Sequence, residues 1–410
     1  MIETVSRRRE QELLLLSAQA PFDDAKLARF NDLLDGPIDW TDLVESAYRH
    51  ALTPLLCRAI ELVPASNIPA DVRAAAQTHA KDHSVRNLQL SEELRRILDG
   101  LEEANIAAIP FKGPVLAEHY YGDVSLRSFH DLDFLIAKDA AAKSVSVLRS
   151  LGYTGTGQIS SQSRDFVLSP RQDAALWHYA GEYIFFHDDR KIAVEPHWAF
   201  APPTLGLDLD YAAFWNRTRQ RALAGRPVRV LDPENTLLSL AVHGGKDAWS
   251  RLQSVADLDR VIRCESDIDW DLLLDHARRS GASRILMVAL QLARTLFGTD
   301  LDPRAGDAIA GDKTVIALAE QRGTALSARQ ATHSSIREIS AYWLRMLERP
   351  RDRFRYVFRT AFTPRVQHFE MLPLPDRLFF VYYAIKPAHD YIALPLWIAA
   401  KRLQVAGRPP

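Results

Sequence analysis

The sequence has little of several features that mark whole classes of protein. Its two cysteines, Cys57 and Cys264, lie far apart and outside any CxxC or cysteine–histidine pattern, which argues against a disulfide framework and fits a reducing compartment. No apolar run approaches the roughly 18 residues that a membrane-spanning helix needs. The net charge is -1, from 51 basic and 52 acidic side chains, so no overall field favours a long nucleic acid as partner. A cytoplasmic protein without a transmembrane segment is therefore expected.

Familiar catalytic motifs are also missing. The chain has no P-loop, nucleophile elbow, HExxH zinc motif or protein-kinase signature. Its N-terminus, MIETVSRRREQELLLLSAQ, differs from a secretory signal because the apolar run of residues 13–16 is short and follows Glu10 and Glu12. An amphipathic first helix is the better interpretation. The chemistry has to come from a less standard set of side chains.

Composition and periodicity predict a globular protein with several packed units. Hydrophobic residues make up 47% of the 410 residues and charged ones 25%, which is typical of a soluble chain too long for one core. Between 107 and 200, short apolar runs (IAAIPF, LDFLI, DFVLS, ALWHYA, EYIFF, KIAVEPHW) alternate with turns and with helical segments at 114–121 and 139–151, whereas the flanks have helical spacing. The predicted regions are an N-terminal helical region (1–104), an α/β core (105–201), a helical domain closing the cleft (202–340) and a basic aromatic C-terminal region (341–410).

The second half of the chain carries helix caps and an unusual tail. Asp232 or Asp267 is expected to begin a helix, and Gly281 and Gly298 to end helices. Residues 341–410 contain 12 Lys or Arg against 5 Asp or Glu, with 13 aromatics between them. The runs LFFVYYAIKP and YIALPLWIAAKR either pack back on the protein, which is the more common outcome, or form an amphipathic arm in peripheral contact with a membrane surface.

The stretch DLDFLI places two acids on one face of a predicted strand. Asp131 and Asp133 are two residues apart, about 6.6 Å along a strand, so both carboxylates point into one small volume. Only a cation, a shared proton or open water makes this comfortable, because like charges disfavour each other's ionised form. Glu195, in the later strand KIAVEPHW, shares a face with Ala193 and His197. If the two strands are neighbours, three carboxylates converge and suit a two-magnesium site; the alternative is a set of surface acids.

Three neighbouring residues fit a bound phosphate. Lys112 and Gly113 follow a strand and open a helix, where a glycine permits close backbone approach and a helix N-terminus favours an anion. Arg127 stands in a turn four residues before Asp131 and could neutralise a phosphate oxygen. The alternatives are a solvated cation for Lys112 and a structural salt bridge for Arg127.

A polar motif, HGGKDAWSRLQSVADLDRVI, lies further along the chain. Its polar residues recur every three or four positions and predict one polar helix face, provided that Gly244 and Gly245 do not break the helix. These residues are His243, Lys246, Asp247, Ser250, Arg251, Ser254 and Asp257. His243, Lys246 and Arg251 would contact a base or phosphate across the cleft, or belong to a solvated face tied by ion pairs. Trp249 and Leu252 are expected in the core.

The order of these motifs resembles a known family. The chain resembles the uncharacterised nucleotidyltransferase-like family within the polymerase-beta-type nucleotidyltransferase superfamily. The resemblance lies in the order of a strand, KG, a helix with a tyrosine-containing end, Arg, DLDFLI and a distant acid followed by HW. HGGKDAWSRLQSVADLDRVI and the tail segments RYVFRTAFTP and LPLPDRLFF extend the resemblance to roughly residues 50–390.

The resemblance implies an α+β fold with a nucleotidyltransferase core, a small mixed sheet with helices, flanked by helical regions. It implies that Asp131, Asp133 and Glu195 bind Mg²⁺, or Mn²⁺ in its place. Gly113 would correspond to the glycine of the superfamily's glycine–serine turn, but here it is followed by Pro114 instead of serine. Lys112 and Arg127 would therefore supply some of the contacts that bind the triphosphate.

The function implied is transfer of a nucleoside monophosphate from an NTP, ATP first, to an unidentified acceptor, with pyrophosphate leaving. A small molecule or peptide is favoured over a long nucleic acid as acceptor. The alternatives are a non-catalytic nucleotide- or protein-binding module that retains the fold, and metal-assisted hydrolysis or a kinase-like step.

Overall fold

The N-terminal part of the protein is entirely helical. The computed structural model describes residues 2–19, 21–155, 168–327, 336–394 and 396. The first helices are α1 (Ile2–Ser17), α2 (Asp24–Leu34), α3 (Trp40–Arg49), α4 (Thr53–Leu62) and the long α5 (Ala70–Glu103). Asp23 caps α2 by accepting from the backbone N–H of Lys26, and Asp39 caps α3 in the same way. α5 ends directly before the first strand.

A five-stranded mixed sheet follows. Its strands are β1 (Ala108–Pro110), β2 (Asp131–Ile136), β3 (Thr154–Gly155), β4 (Phe185–His187) and β5 (Ile192–His197), in the order β1-β2-β5-β4-β3. β2 and β5 are parallel, and the other pairs are antiparallel. The helices between them are α6 (Pro114–Tyr120), α7 (Ala141–Ser150) and α8 (Pro170–Tyr179). The predicted α+β fold, a small mixed sheet with helical flanks, is confirmed.

Two segments differ from their predicted structure. ALWHYA is not a short extended run but part of α8, because Ser169 and Gln172 form a capping box at its start and Pro170 occupies the first turn. The region after Pro202 is not purely helical. α9 (Tyr211–Asn216) leads into a hairpin of β6 (Thr218–Leu223) and β7 (Arg226–Leu231), joined by two residues of positive φ, Ala224 and Gly225. Most of DFVLS and of the loop expected at 152–163 lies outside the described residues.

The rest of the described chain is helical. Its helices are α10 (Pro233–Lys246), α11 (Leu252–Cys264), α12 (Trp270–Ser280), α13 (Ser283–Phe297), α14 (Pro303–Ala310), α15 (Lys313–Leu326), α16 (Ile336–Met346), α17 (Pro350–Phe362), α18 (Val366–Met371) and α19 (Tyr382–Ala388). Asp232 caps α10, and Gly281 and Gly298 end α12 and α13 in the left-handed conformation, as predicted. The acid that caps α12 is Asp269 rather than Asp267.

Three apolar cores hold these elements together. One joins α1–α4 to α10–α16, and a second joins α5 to the sheet. A smaller third core joins α8 to the chain end through Leu176, Phe369, Phe379 and Tyr382. Most of the run LFFVYYAIKP therefore packs back on the protein. Among the described residues, no helix combines the length and apolar character needed to cross a bilayer. The domain boundaries proposed from the sequence stay a prediction.

Candidate active site

The parallel pairing of β2 and β5 brings the predicted carboxylates together. Asp133 lies opposite Glu195, and Asp131 lies opposite Ala193. The three acids face a cavity of about 340 Å³ between the sheet and the α10–α11 segment. Eight of the nine predicted site residues line this cavity: Lys112, Gly113, Arg127, Asp131, Asp133, Glu195, His243 and Arg251. The cavity is also lined by Ala51, Ser128, Phe129, His130, Leu240, Asp247, Ser250, Gln253, Ser254 and Asp257.

The two acids of β2 have very different environments. The charge of Asp133, together with burial and the charge of Glu195, raises the pKa of Asp131 to about 6. Burial alone would raise the pKa of Asp133, but Lys112 and His197 outweigh it and hold that pKa far below its usual range. Asp133 is therefore a buried, firmly ionised carboxylate. Asp131 is the carboxylate that is most destabilised by repulsion from the other two acids, Asp133 and Glu195.

Lys112 is paired rather than solvated. Its Nζ lies 3.1 Å from Oδ1 of Asp133, and its side chain is only 10% exposed. Burial lowers the pKa of Lys112, but Asp133 and Asp131 raise it above its usual value, so the ammonium stays charged. The cation predicted to contact a phosphate thus neutralises a carboxylate in this structure.

His197 belongs to the cluster, although no role was predicted for it. Its Nε2 lies 2.9 Å from Asp133 and 3.7 Å from Glu195, and its Nδ1 lies 3.0 Å from Glu182. Burial would lower the pKa of His197, but the three carboxylates raise it to about 10, so it is an imidazolium at neutral pH. The period-two pattern did place His197 on the face of Glu195. The contact between His197 and Glu182 could not be predicted from the sequence around β5, because Glu182 lies before β4.

The donor atoms suit a divalent cation. Carboxylate oxygens of Asp133 and Glu195 lie within 4.8 Å of each other, and Asp131 lines the same cavity, whereas His197, as an imidazolium, pairs with these carboxylates and would not itself bind the ion. Carboxylate oxygens are the ligands that Mg²⁺ and Mn²⁺ prefer. A divalent cation would also relieve the repulsion that raises the pKa of Asp131. The residues therefore fit a metal site, and the donor set alone does not choose between the two ions.

Gly113 permits a close approach of two backbone segments. Its φ of 48° and ψ of -123° lie in a region that L side chains rarely adopt. A Cβ atom at this position would lie 3.4 Å from the backbone oxygen of Asp131. Gly113 therefore lets the turn between β1 and α6 run directly beside the start of β2.

Arg127 forms the salt bridge that was the alternative to phosphate binding. Its Nε and Nη2 donate to the two carboxylate oxygens of Asp257 over 2.9 and 2.8 Å, and the hydroxyl of Tyr121 donates to the same carboxylate over 2.8 Å. Arg127 is 8% exposed and Asp257 4%. The pair ties the turn before β2 to α11 across the cleft. A nucleotide-binding role for Arg127 stays a prediction.

The polar motif does not form one helix. α10 ends at Lys246 and α11 begins at Leu252, and Ala248 and Trp249 between them have φ of 49° and 45°. The break does not fall at the two glycines. Gly244 lies inside α10, where a Cβ would come within 2.4 Å of the Trp249 indole nitrogen. The glycine therefore accommodates Trp249, which is buried, as is Leu252.

The turn still delivers most of the motif's polar residues to the cavity. His243 and Arg251 line it, whereas Nζ of Lys246 lies 3.7 Å from the Glu182 carboxylate. Burial, Lys112 and Lys246 hold the pKa of His243 well below its usual range, so its imidazole is neutral. A neutral histidine and an arginine thus lie across the cleft from the carboxylates.

Comparisons with known proteins agree with this arrangement. A family model for an uncharacterised nucleotidyltransferase matches residues 36–298, more than half of the chain. No curated protein sequence matches. Among solved structures, the chain is similar to the antibiotic-resistance factor ANT(2'')-Ia, whose solution structure reveals substrate-regulated conformation dynamics. That similarity is 13% in identity with a TM-score of 0.27, over 58% of this chain and 98% of the other, and it is too weak to carry an argument.

Proposed function

Because the chain belongs to the uncharacterised nucleotidyltransferase family, we propose that it transfers a nucleoside monophosphate from an NTP to an acceptor. ATP is the first donor to test, and pyrophosphate is the leaving group. The observation that carries the proposal is the parallel register of β2 and β5, because it directs Asp131, Asp133 and Glu195 into one cavity. Three converging acids have no evident purpose in a site that only binds an anionic nucleotide.

Asp131 and Asp133 are the proposed ligands of Mg²⁺ or Mn²⁺, with Glu195 as the third. When bound, such an ion would neutralise charge on the triphosphate and favour ionisation of the acceptor hydroxyl. Glu195 is 19% exposed on its side chain, so its carboxylate can meet an acceptor as well as an ion. His197 orients Asp133, and it reaches Glu195 at 3.7 Å.

In the proposed reaction, the acceptor oxygen forms a bond to the α-phosphorus. The bond between that phosphorus and the oxygen bridging the α- and β-phosphates breaks. The electron pair leaves with pyrophosphate. Glu195 takes the acceptor proton. Lys112, held in the cavity by Asp133, is a cation within reach of the phosphates. Positioning and charge would supply most of the rate, because this chemistry asks little covalent work of a protein.

The proposed acceptor is a small molecule or a peptide. A net charge of -1 does not favour a long nucleic acid, and a cavity of about 340 Å³ is at the lower end for ligand sites. We place the protein in the cytoplasm, with any peripheral membrane contact made through its C-terminal region.

The test is release of pyrophosphate, and transfer of label from α-labelled NTPs to a panel of small-molecule and peptide acceptors. Wild type should react with Mg²⁺ and stop with a chelator. Asp131→Asn should lower the rate about a hundredfold or more. Asp139→Asn, in the exposed turn after β2, is the matched control and should react like wild type. Equal rates for Asp131→Asn and wild type would remove the assignment.

One observation favours a second candidate. Lys112 and His197 already neutralise Asp133, so the cluster does not require a metal to be stable. This is what a nucleotide- or protein-binding module that retains the fold would need. Calorimetry with NTPs separates the two, because binding without turnover across the acceptor panel supports the module. Release of phosphate instead of pyrophosphate would indicate hydrolysis or a kinase-like step.

A further inference from the structure

Helix α17 exposes a ladder of phenylalanine rings. Phe354, Phe358 and Phe362 are spaced four residues apart and therefore lie on one face of the helix. They are 69%, 51% and 37% exposed, and Val357 beside them is 51% exposed. The rings contact each other, with centroids 5.9 and 4.8 Å apart. Single exposed apolar residues are ordinary, but a continuous aromatic stripe marks an interaction surface.

The opposite face of α17 anchors it to the protein, so the stripe points outward. Asp352 and Tyr356 are buried on that face. Arg353 donates to the backbone oxygen of Leu347 over 2.7 Å, and Arg359 to that of Pro203 over 2.6 Å. The stripe therefore belongs to a helix whose position is already determined by other contacts.

The stripe lies in a positively charged setting. α17 contains four arginines and one acid, a net charge of +3 over its 13 residues. The acid, Asp352, is fully buried, and three arginines surround it, Arg349, Arg351 and Arg355, at 3.3 to 3.9 Å. A second acid, Asp208, also pairs with one of these arginines: its Oδ2 lies 3.9 Å from Nη1 of Arg355. The arginines outnumber the acids, so the helix presents an excess of positive charge.

More exposed apolar residues follow the helix that packs on α17. α19 contacts α17, and the chain then exposes Tyr391 (56%), Ile392 (61%) and Leu396 (65%). These residues do not join the third apolar core, unlike Phe379 and Tyr382. The apolar surface of the C-terminal region therefore extends beyond one helix.

We propose that the α17 stripe docks on an anionic bilayer surface. An aromatic ladder flanked by arginines is the composition of a helix lying in the plane of the membrane interface, with rings among the acyl chains and guanidinium groups at lipid phosphates. Each basic residue near an anionic surface adds to the attraction. The inference does not depend on nucleotidyl transfer.

The experiment is flotation of the full chain with phosphatidylcholine vesicles, with or without one-third phosphatidylglycerol. Wild type should float with the anionic vesicles and not with the neutral ones, and 0.5 M NaCl should release it. The double variant Phe354→Ser, Phe358→Ser should lower the partition coefficient about tenfold or more. The matched control is Val85→Ser, Leu88→Ser on α5, at 50% and 59% exposure, and it should float like wild type.

Three outcomes would overturn the proposal. One is absence of flotation with anionic vesicles at low salt. A second is equal flotation of the stripe variant and wild type, provided that their circular dichroism spectra and thermal midpoints agree. The third is a wild-type dimer in light scattering that becomes a monomer in the stripe variant without vesicle binding, which would make the stripe an interface between copies of the chain.

Discussion

The buried pair of Arg127 and Asp257 offers the sharpest test of the site's architecture. In Arg127→Met the carboxylate of Asp257 would stay 4% exposed and keep only the hydroxyl of Tyr121 as a donor. An uncompensated buried charge costs about 3–5 kcal/mol of the free energy of unfolding. That is a large share of the roughly 5–15 kcal/mol that holds a domain folded. Arg127→Lys should recover only part of it, because an ammonium cannot bind both oxygens in parallel.

The assay is urea-induced unfolding at pH 7, followed by tryptophan fluorescence. The double variant Arg127→Met, Asp257→Leu should lose much less than the sum of the two single variants, because it leaves no charge behind. Arg58→Met is the control, since its pair with Glu61 is 49% and 33% exposed and should be worth less than about 1 kcal/mol. A loss below about 1 kcal/mol for Arg127→Met would refute the reasoning.

The same variants separate the two roles considered for Arg127. If the double variant is folded and binds ATP as tightly as wild type in calorimetry, Arg127 is a structural residue only. If it is folded but binds ATP about tenfold more weakly, the guanidinium also contacts the nucleotide. The salt bridge and the phosphate contact then coexist, since Arg127 both pairs with Asp257 and lines the cavity.

Three further predictions rest on single residues. Gly244→Ala should lower the free energy of unfolding, measured in urea, by about 1–3 kcal/mol, because the new Cβ would lie 2.4 Å from the buried indole of Trp249. The control is Gly323→Ala in α15, where a Cβ meets open space, so the free energy of unfolding should stay the same or rise. Burial and neighbouring arginines lower the pKa of His50 to about 4, so only the unfolded chain takes up this proton between pH 6.5 and 4. The free energy of unfolding should therefore fall as the pH drops through that window, by up to about 3 kcal/mol, and His50→Gln should flatten the fall. Lys112→Met removes the ammonium that pairs with the Asp133 carboxylate. Calorimetry should therefore show about tenfold tighter binding of Mn²⁺ in the absence of nucleotide, and weaker binding of ATP. Unchanged affinities would argue against a site in which Lys112, the metal ion and the nucleotide meet.

Much of the site was readable from the sequence because its signals are local. Two acids at period two in an apolar strand have to share a face, whatever the rest of the chain does. The same reasoning put Glu195 and His197 on one face of β5. Caps were equally readable, because an aspartate before a helix or a glycine after it acts through its own backbone neighbours.

Other local patterns were misleading, each for its own physical reason. ALWHYA has the apolar density of a strand, but the capping box at Ser169 starts a helix that buries Leu176 against the C-terminal region. The hairpin of β6 and β7 was missed because β6 is mostly polar on both faces, with only Leu223 buried, and so lacks the apolar alternation that predicts a strand. The polar motif around Gly244 has helical spacing, yet the need to bury Trp249 turns the chain after Lys246.

The acids that we propose as the reactive centre could be named from the chain itself, because residue type and period two put Asp131 and Asp133 on one face, where a cation, a shared proton or open water has to relieve their repulsion. The chain could not reveal which charges those acids actually face. Pairing of strands and turns within the sheet brings Lys112, His197 and Glu182 to their partners, and packing of α10 and α11 against the sheet adds the contacts of Lys246 and Asp257; all these distances are 2.8–3.7 Å. Electrostatic energy depends on distance through space and on burial, and neither is written in the order of residues.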